Sequence, residues 1–551
     1  MTISVAPRQG TASSSAVRRT RRWLDAAFLV ACVAVSSAVS IALRQDANWD
    51  LQNYHFYGPW AWLEGRTFGR DIAAAQLQTY LNPLLDLPFY AMVASDWNPR
   101  VISAVLALPA GVSAWLLAKL AWALFGGIDT PSRLVAVIAS LAIGLTAAMA
   151  VGTLGMTMND WPGTALTLAA LWLLVRAIVS GRGAAVAVRT LVAAGALIGA
   201  ATGLKLTVAT FAVAMCLGLL LRPPLAGARL REAFVFGAAV LAGFSVTYAY
   251  WGWQLWSHFG NPVFPFANQW FGSPWWEQQP IYERVYGPHG LRAWLRFPFA
   301  LYSPQPGFVS EVPYADPRIP LTYALALIAA FSLAVQRVAR ITAAEPAEQP
   351  VQVTQARALV TLFWAASFIL WTAQHSILRY IVVLEITTGL LIVGMLRWML
   401  RPAYANAVIV TVAAALIVAT QWPDWWRIDH GKRWFDASIP AVESDALILM
   451  TLDAPMAYVL PFFPKDARHV GVRNNLNSPD RKTLLQRSVE ESIRNHRGPM
   501  YALSFPANRG EADLAGYGLR RIPGTCADVK TAMRTSPIQL CRLERVAIAP
   551  R

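Results

Sequence analysis

Between residues 23 and 420 the chain is a succession of long apolar runs parted by short polar stretches, and no other feature constrains its fold as much. The runs centre on 23–43, 101–125, 134–152, 163–180, 190–204, 206–221, 233–250, 319–336, 358–373, 380–396 and 403–420. About 20 apolar residues suffice to cross a bilayer as a helix. The pattern therefore predicts a mainly α, polytopic transmembrane bundle of about eleven helices. Charged residues make up 14% of the chain, against roughly a quarter in soluble proteins. A soluble multidomain enzyme, a disordered chain and a fibrous protein are excluded on that ground.

Charge gives the expected sidedness. Residues 1–22 form a Ser/Thr-rich tail ending in Arg18, Arg19, Arg21 and Arg22, and are expected in the cytoplasm. The run after it is too long for the core of a cleaved signal. Alternate loops from there carry Arg133; Arg176, Arg182 and Arg189; Arg222, Arg229 and Arg231; Arg337, Arg340 and Arg357; and Arg397 and Arg401. Every loop expected inside is basic, as the positive-inside rule requires. The net charge of +16 is therefore a topology signal. No nucleic-acid motif accompanies it, and nucleic acid is not an expected partner.

The transmembrane region, 23–420, then presents to the outside a loop 44–100, a longer loop 251–318 and the turns near 157–161 and 204–205. Loop 44–100 has short apolar pieces broken by Pro83, Asp86 and Pro88, which fit helices lying on the interface. Residues 421–551 read as an extracytoplasmic α/β domain. Strand candidates are 446–450, 469–472, 500–504 and 538–543, with a helical stretch near 454–459. Cys32 and Cys216 fall inside apolar runs. Cys526 and Cys541 are close in sequence in the outer tail and are expected as a disulfide. No internal repeat is visible, which disfavours transporter folds built from duplicated halves.

Polar residues at membrane depth or at the bundle mouth are the informative ones, because burying them is costly. Asp50, Tyr54 and His55 open the first outer loop, although an Asp there also serves as a helix cap. Asp160 stands two positions before Pro162, which is equally a helix-start signature. Lys205, one of six lysines against 41 arginines, interrupts an apolar region. It is either a snorkelling side chain or a cation for a phosphate. His258 and Asn261 open the long loop, which holds seven of the 23 tryptophans. Arg379 could clamp a phosphate or cap a helix end. Phosphate-loop, dinucleotide-binding and zinc motifs are absent from the sequence.

Taken in order, these features resemble the GT-C superfamily of membrane glycosyltransferases, most of all the branch with protein O-mannosyltransferases and lipid A aminoarabinose transferases. The likeness runs through Asp50 and Tyr54, Leu63-x-Gly65-Arg66, Asn159-Asp160-Trp161-Pro162, Gly203-Leu204-Lys205 and Arg379-Tyr380, over about residues 20–400. Leu51 stands where the mannosyltransferase pattern has a second acid, and the tail has no counterpart. The resemblance implies transfer of a sugar from a polyprenyl-phosphate donor to a glycan, lipid or protein acceptor. The reaction would take place at the outer face of a bacterial-type cytoplasmic membrane. It implies Asp50 as general base, Asp160 as a positioning acid, and Lys205 and Arg379 as cations for the donor phosphate. Tyr54, His55, His258 and Asn261 are implied in substrate binding, with loop 251–318 covering the site. Some relatives use a divalent cation. Asp50, Asp160 and His258 could supply ligands, and no metal site is assigned. The rival readings are a lipid or polysaccharide transporter or flippase, and a non-catalytic membrane subunit with the tail as docking module.

Overall fold

The computed structural model describes residues 11–181, 185–223, 227–281, 286–338, 350–451, 454–534 and 537–546. Arg182 and Arg340, two arginines of the expected inner loops, lie outside the described residues, as do the first ten residues of the N-terminal tail. Each apolar run is helical. Seven helices among the described residues are long and apolar enough to cross a membrane: Arg19–Ala42, Pro99–Leu124, Asp160–Ser180, Gly227–Phe259, Arg318–Gln336, Val351–Gln374 and Leu378–Met399. The runs at 134–152, 190–204, 206–221 and 403–420 give shorter apolar helices: Thr130–Leu145, Val188–Leu204, Leu206–Leu221 and Pro402–Val418. The protein is thus a mainly helical, multi-pass membrane protein with a small C-terminal region that contains β-structure.

Lipid tails are as apolar as leucine, so helices in a bilayer associate by close packing rather than by hydrophobic exclusion. Gly195, Gly199 and Gly203 recur every fourth residue on Val188–Leu204 and let it press against Gly227–Phe259. A Cβ at Gly199 would sit 2.1 Å from the Val240 carbonyl oxygen, and one at Gly195 would sit 2.5 Å from that of Phe236. Gly144 and Gly389 bring Thr130–Leu145 and the helix Val382–Met399 equally close, with Cβ positions 2.2 and 2.3 Å from backbone oxygens of the facing helix.

The tail forms a mixed sheet. Its strands are β3 (Leu447–Met450), β4 (Arg468–Gly471), β5 (Met500–Ser504), β6 (Leu519–Arg521), β7 (Ala527–Val529) and β8 (Ile538–Arg545). The order is β4-β3-β5-β8-β6, with β7 also on β8. Strands β3, β4 and β5 are parallel; β8 runs antiparallel to its neighbours. Cys526 and Cys541 are disulfide-bonded, tying the start of β7 to the middle of β8. The helical stretch expected near 454–459 is a 3-10 turn, Ala457–Phe462. A further helix, Leu484–Asn495, is capped by Thr483, whose hydroxyl accepts from the Gln486 amide at 3.2 Å.

Loop 44–100 holds a short helical piece around Pro83, Asp86 and Pro88, the 3-10 turn Pro83–Asp86 and the helix Leu87–Ala94. Its first part is an internal layer, with Gln45, Asp46, Asn48, Leu51, Tyr57 and Ala61 at 0% exposure. Strand β1 (Gln45–Asp46) pairs antiparallel with β2 (Arg427–Ile428), and Ile72 adds a bridge to the open edge of β4. Asp71 accepts from Arg66 at 2.8 and 2.9 Å, from the Tyr57 hydroxyl at 2.9 Å and from the His469 amide at 3.0 Å. Leu51, Phe56 and Tyr57 share one core with Phe435, Ile448 and Tyr458 of the tail. Arg66 also donates to the Lys465 and Ala467 carbonyls, so this part of the loop is tied to the tail.

Candidate active site

Five chain segments bring polar and charged side chains together at one end of the helix bundle around a cavity of about 170 Å³. The first carries Asp50, followed by the π-helix Leu51–His55. Its start is pinned by Asp46. That carboxylate accepts from the Asn48 amide at 2.9 Å and from both the backbone and the hydroxyl of Thr157 at 2.8 Å. Single π-helical turns disrupt the regular backbone ladder and recur at functional sites. The second segment is the 3-10 turn Pro83–Asp86. Its cap, Asn82, donates to the carbonyls of Gly203 and Thr247, both at 3.0 Å, which fixes the turn to the end of one helix and the interior of another.

The third segment is the start of Asp160–Ser180. Asn159 precedes it in the left-handed region at φ 63°, a conformation that Asn tolerates better than most residues. The fourth is Lys205, the extended residue between Val188–Leu204 and the turn Leu206–Val208. The fifth is the 3-10 turn Leu378–Ile381, which carries Arg379 and Tyr380.

Here the acids and cations pair. Arg379 Nη1 donates to Asp50 Oδ2 across 329 residues of sequence. Lys205 Nζ donates to Asp160 Oδ1 and to the Met158 carbonyl at 2.8 Å. The Tyr380 ring lies 5.2 Å from the lysine nitrogen and 5.4 Å from the guanidinium carbon, within cation–π range of both. A third acid, Asp86, accepts on Oδ1 from His55 Nδ1 at 2.7 Å and from Asn159 Nδ2 at 2.5 Å. Tyr54 lines the cavity beside these groups. Burial, reinforced by the Asp50 charge, keeps its phenol protonated well above the ordinary range. Asp160 Oδ2, Arg379 Nε and His55 Nε2 are buried without a hydrogen-bond partner. Buried polar atoms are rarely left unpaired, so these mark a place where a ligand or water belongs. The opposite wall, with Tyr80, Leu81, Tyr248, Phe264 and Phe266, is largely apolar and aromatic.

Five of the expected site residues thus line the cavity, Asp50, Tyr54, His55, Lys205 and Arg379, and a sixth, Asp160, joins them through its ion pair with Lys205. His258 and Asn261 do not. His258 is exposed, stacks on Phe68 at 4.5 Å and faces a separate open groove lined by Trp62, Tyr250 and Gln254. Asn261 is fully buried and ties its own loop, donating to the Phe266 carbonyl at 2.9 Å and accepting from the Val263 amide at 3.0 Å. His258 is therefore not grouped with Asp50 and Asp160, and among the described residues no three His, Cys, Asp or Glu side chains are placed to hold a metal ion. Asp86 and Asn159 are the functional candidates that sequence reading passed over. The available signal was an acid between two prolines inside an apolar piece.

No protein-family model and no curated protein matches the chain. Among solved structures it is similar to an archaeal oligosaccharyltransferase, AglB from Archaeoglobus fulgidus, in complex with an inhibitory peptide and a dolichol-phosphate. That likeness has 12% identity and a TM-score of 0.46, over 90% of this chain and 71% of that one. It is also similar to ArnT from Cupriavidus metallidurans bound to undecaprenyl phosphate, with 12% identity and a TM-score of 0.44, over 96% of this chain and 99% of that one. Neither likeness carries a residue's role over to this chain.

Proposed function

We propose that this protein is a membrane glycosyltransferase that moves a sugar from a polyprenyl-phosphate donor to an acceptor hydroxyl at the outer face of the cytoplasmic membrane. The observation that carries the reading is the pair of largely buried cations, Lys205 and Arg379, held by Asp160 and Asp50 on the wall of one cavity. Burying cations is costly unless they are paired or serve a ligand. A lipid phosphate suits such a place, because charge develops on it as the sugar leaves and fixed donors stabilise that charge. The carboxylates hold the cations in position, and the apolar wall suits the first part of a lipid chain. The order of motifs that resembles the GT-C superfamily points the same way.

The reading includes eleven crossings, with the N-terminus inside and the tail outside. Asp50, Asp160, Lys205 and Arg379 gather at one end of the bundle. Long helices end or begin at that end, so the chain must return across the bundle between them. The shorter helices Thr130–Leu145, Val188–Leu204, Leu206–Leu221 and Pro402–Val418 supply those returns. At 1.5 Å per residue the longest of them reach roughly 25 Å, short of a 30 Å core, a mismatch that a membrane accommodates at modest cost.

The test is to incubate the purified full chain with labelled polyprenyl-phosphate sugars and candidate glycan, lipid and protein acceptors. Transfer of label is expected. Label that crosses a vesicle membrane without being transferred would instead favour a flippase, and neither outcome would leave a non-catalytic subunit.

A further inference from the structure

Two carboxylates, Asp50 and Asp86, line the cavity, a third, Asp160, sits behind the lining residue Lys205, and the three are not equivalent. Asp50 is ion-paired with Arg379, and Asp160 with Lys205. Asp86 has a histidine and an amide as partners, both on Oδ1, and no hydrogen bond reaches its Oδ2 among the described residues. We infer that Asp86, oriented by His55 and Asn159, is the group that takes the proton from the acceptor hydroxyl. The inference rests on the sugar-transfer reading above.

The physical reason is the division of labour that charge imposes. Each cation already occupies one oxygen of its carboxylate, Oδ2 of Asp50 and Oδ1 of Asp160. A general base must accept a proton within hydrogen-bond reach of the reacting group. Asp86 lines the cavity with Oδ2 outside its two hydrogen bonds, and a proton taken there gives up no cation that the phosphate needs. His55 is held at 1% exposure, and its Nε2 has no partner, so the ring's one hydrogen bond to a carboxylate is the one at Nδ1. That bond fixes the plane of the carboxylate. The Asn159 amide, carried by its left-handed backbone, holds the same oxygen next to the imidazole, its nitrogen 3.5 Å from His55 Nδ1. Asp50 and Asp160 then act as positioning residues for the two cations.

In the transfer step the acceptor oxygen bonds to the anomeric carbon as its proton passes to Asp86 Oδ2. The bond from that carbon to the phosphate oxygen breaks, and its electron pair stays with the phosphate beside Lys205 and Arg379. The phosphate, now a monoester, takes the proton from Asp86, which returns to its carboxylate. Protons and charge balance without a further reactant.

The experiment uses the full chain in lipid nanodiscs and compares wild type with Asp86→Asn, Asp86→Glu, His55→Gln and Asp50→Asn. Binding of polyprenyl phosphate and turnover of a labelled polyprenyl-phosphate sugar are measured separately. Asp86→Asn should lower turnover by roughly 10²–10⁴-fold, the usual worth of a general base, with polyprenyl-phosphate binding retained. Asp86→Glu should recover part of the loss. Asp50→Asn should weaken binding, because Arg379 loses its anchor. Normal turnover in Asp86→Asn, or an equal loss of binding and turnover, would overturn the inference. Nitrogen NMR of the imidazole, assigned with His55→Gln, gives a readout that needs no substrate. A proton on Nδ1 of His55 is expected, and a ring protonated on Nε2 alone overturns the dyad. Wild-type chain that binds no polyprenyl phosphate and transfers no sugar would sink the broader reading instead.

Discussion

At the scale of single residues, the molecule spends its buried charge in two ways. One is the cavity, where cations wait beside acids. Removing either cation by Lys205→Ala or Arg379→Ala should weaken polyprenyl-phosphate binding by about 10- to 100-fold, since a hydrogen bond to a charged group contributes roughly 1.5–3 kcal/mol. Titration of the lipid phosphate into nanodisc-held protein checks it, and unchanged affinity in both variants would remove the phosphate from this site. The other use is structural. Asp71 is buried, which on its own raises a carboxyl pKa, but His469 and Arg66 outweigh that and bring it down to about 2. A free Asp titrates near 4. A lowered folded value means that the network stabilises the fold in full above about pH 4 and loses that contribution, on the order of 2 kcal/mol, as pH falls toward 2. The gap in thermal stability between wild type and Asp71→Asn should therefore narrow over that window. A gap independent of pH would show that Asp71 acts through packing alone.

At the scale of elements, the helix Val188–Leu204 decides whether the cavity can form, because Lys205 sits at its end. Its glycine face fits backbone against backbone, so even one methyl group has nowhere to go. Overpacking of this kind costs about 1–3 kcal/mol where neighbours can shift. At Gly199 the obstacle is the Val240 backbone itself. Gly199→Val should therefore lower the melting temperature in detergent and displace Lys205 from Asp160. Gly237→Val, at a position with nothing within 4 Å of an added Cβ, should leave it near wild type. Equal melting of the two variants would mean that the helix pair is not held by this face.

At the scale of the whole molecule, the tail and the first loop behave as one layer over the bundle. The 3-10 turn Ala457–Phe462 shares a core with the loop residues around the π-helix, and Arg534 donates to Gln52 at 2.5 Å. The tail therefore supports the backbone that carries Asp50. The proposed eleven crossings from an inside N-terminus would place this layer outside. A reporter active only in the cytoplasm, fused after Arg551, should stay dark, and one placed between Leu124 and Thr130 should be active. Activity at the first site, or none at the second, would break the proposed sidedness.

The apolar runs are a property of consecutive residues, so the sequence by itself determined where the helices lie. The arginines between them are equally local, and so is the strand Met500–Ser504, which the residue pattern placed with its observed bounds. It also drew attention to Asp50, Asp160, Lys205 and Arg379, because a polar group in apolar surroundings stands out locally. What it could not determine is which acid meets which cation. Asp50 and Arg379 are 329 positions apart, and His55 and Asp86 are 31 apart. Those meetings depend on how glycine faces set helix against helix, and on a loop that found its partners in the tail. His258 and Asn261 do not join the other candidates, because the first ends a long helix beside a different groove and the second ties its own loop. Helix position follows from local hydrophobicity, while the pairing of charges follows from packing between segments distant in the chain.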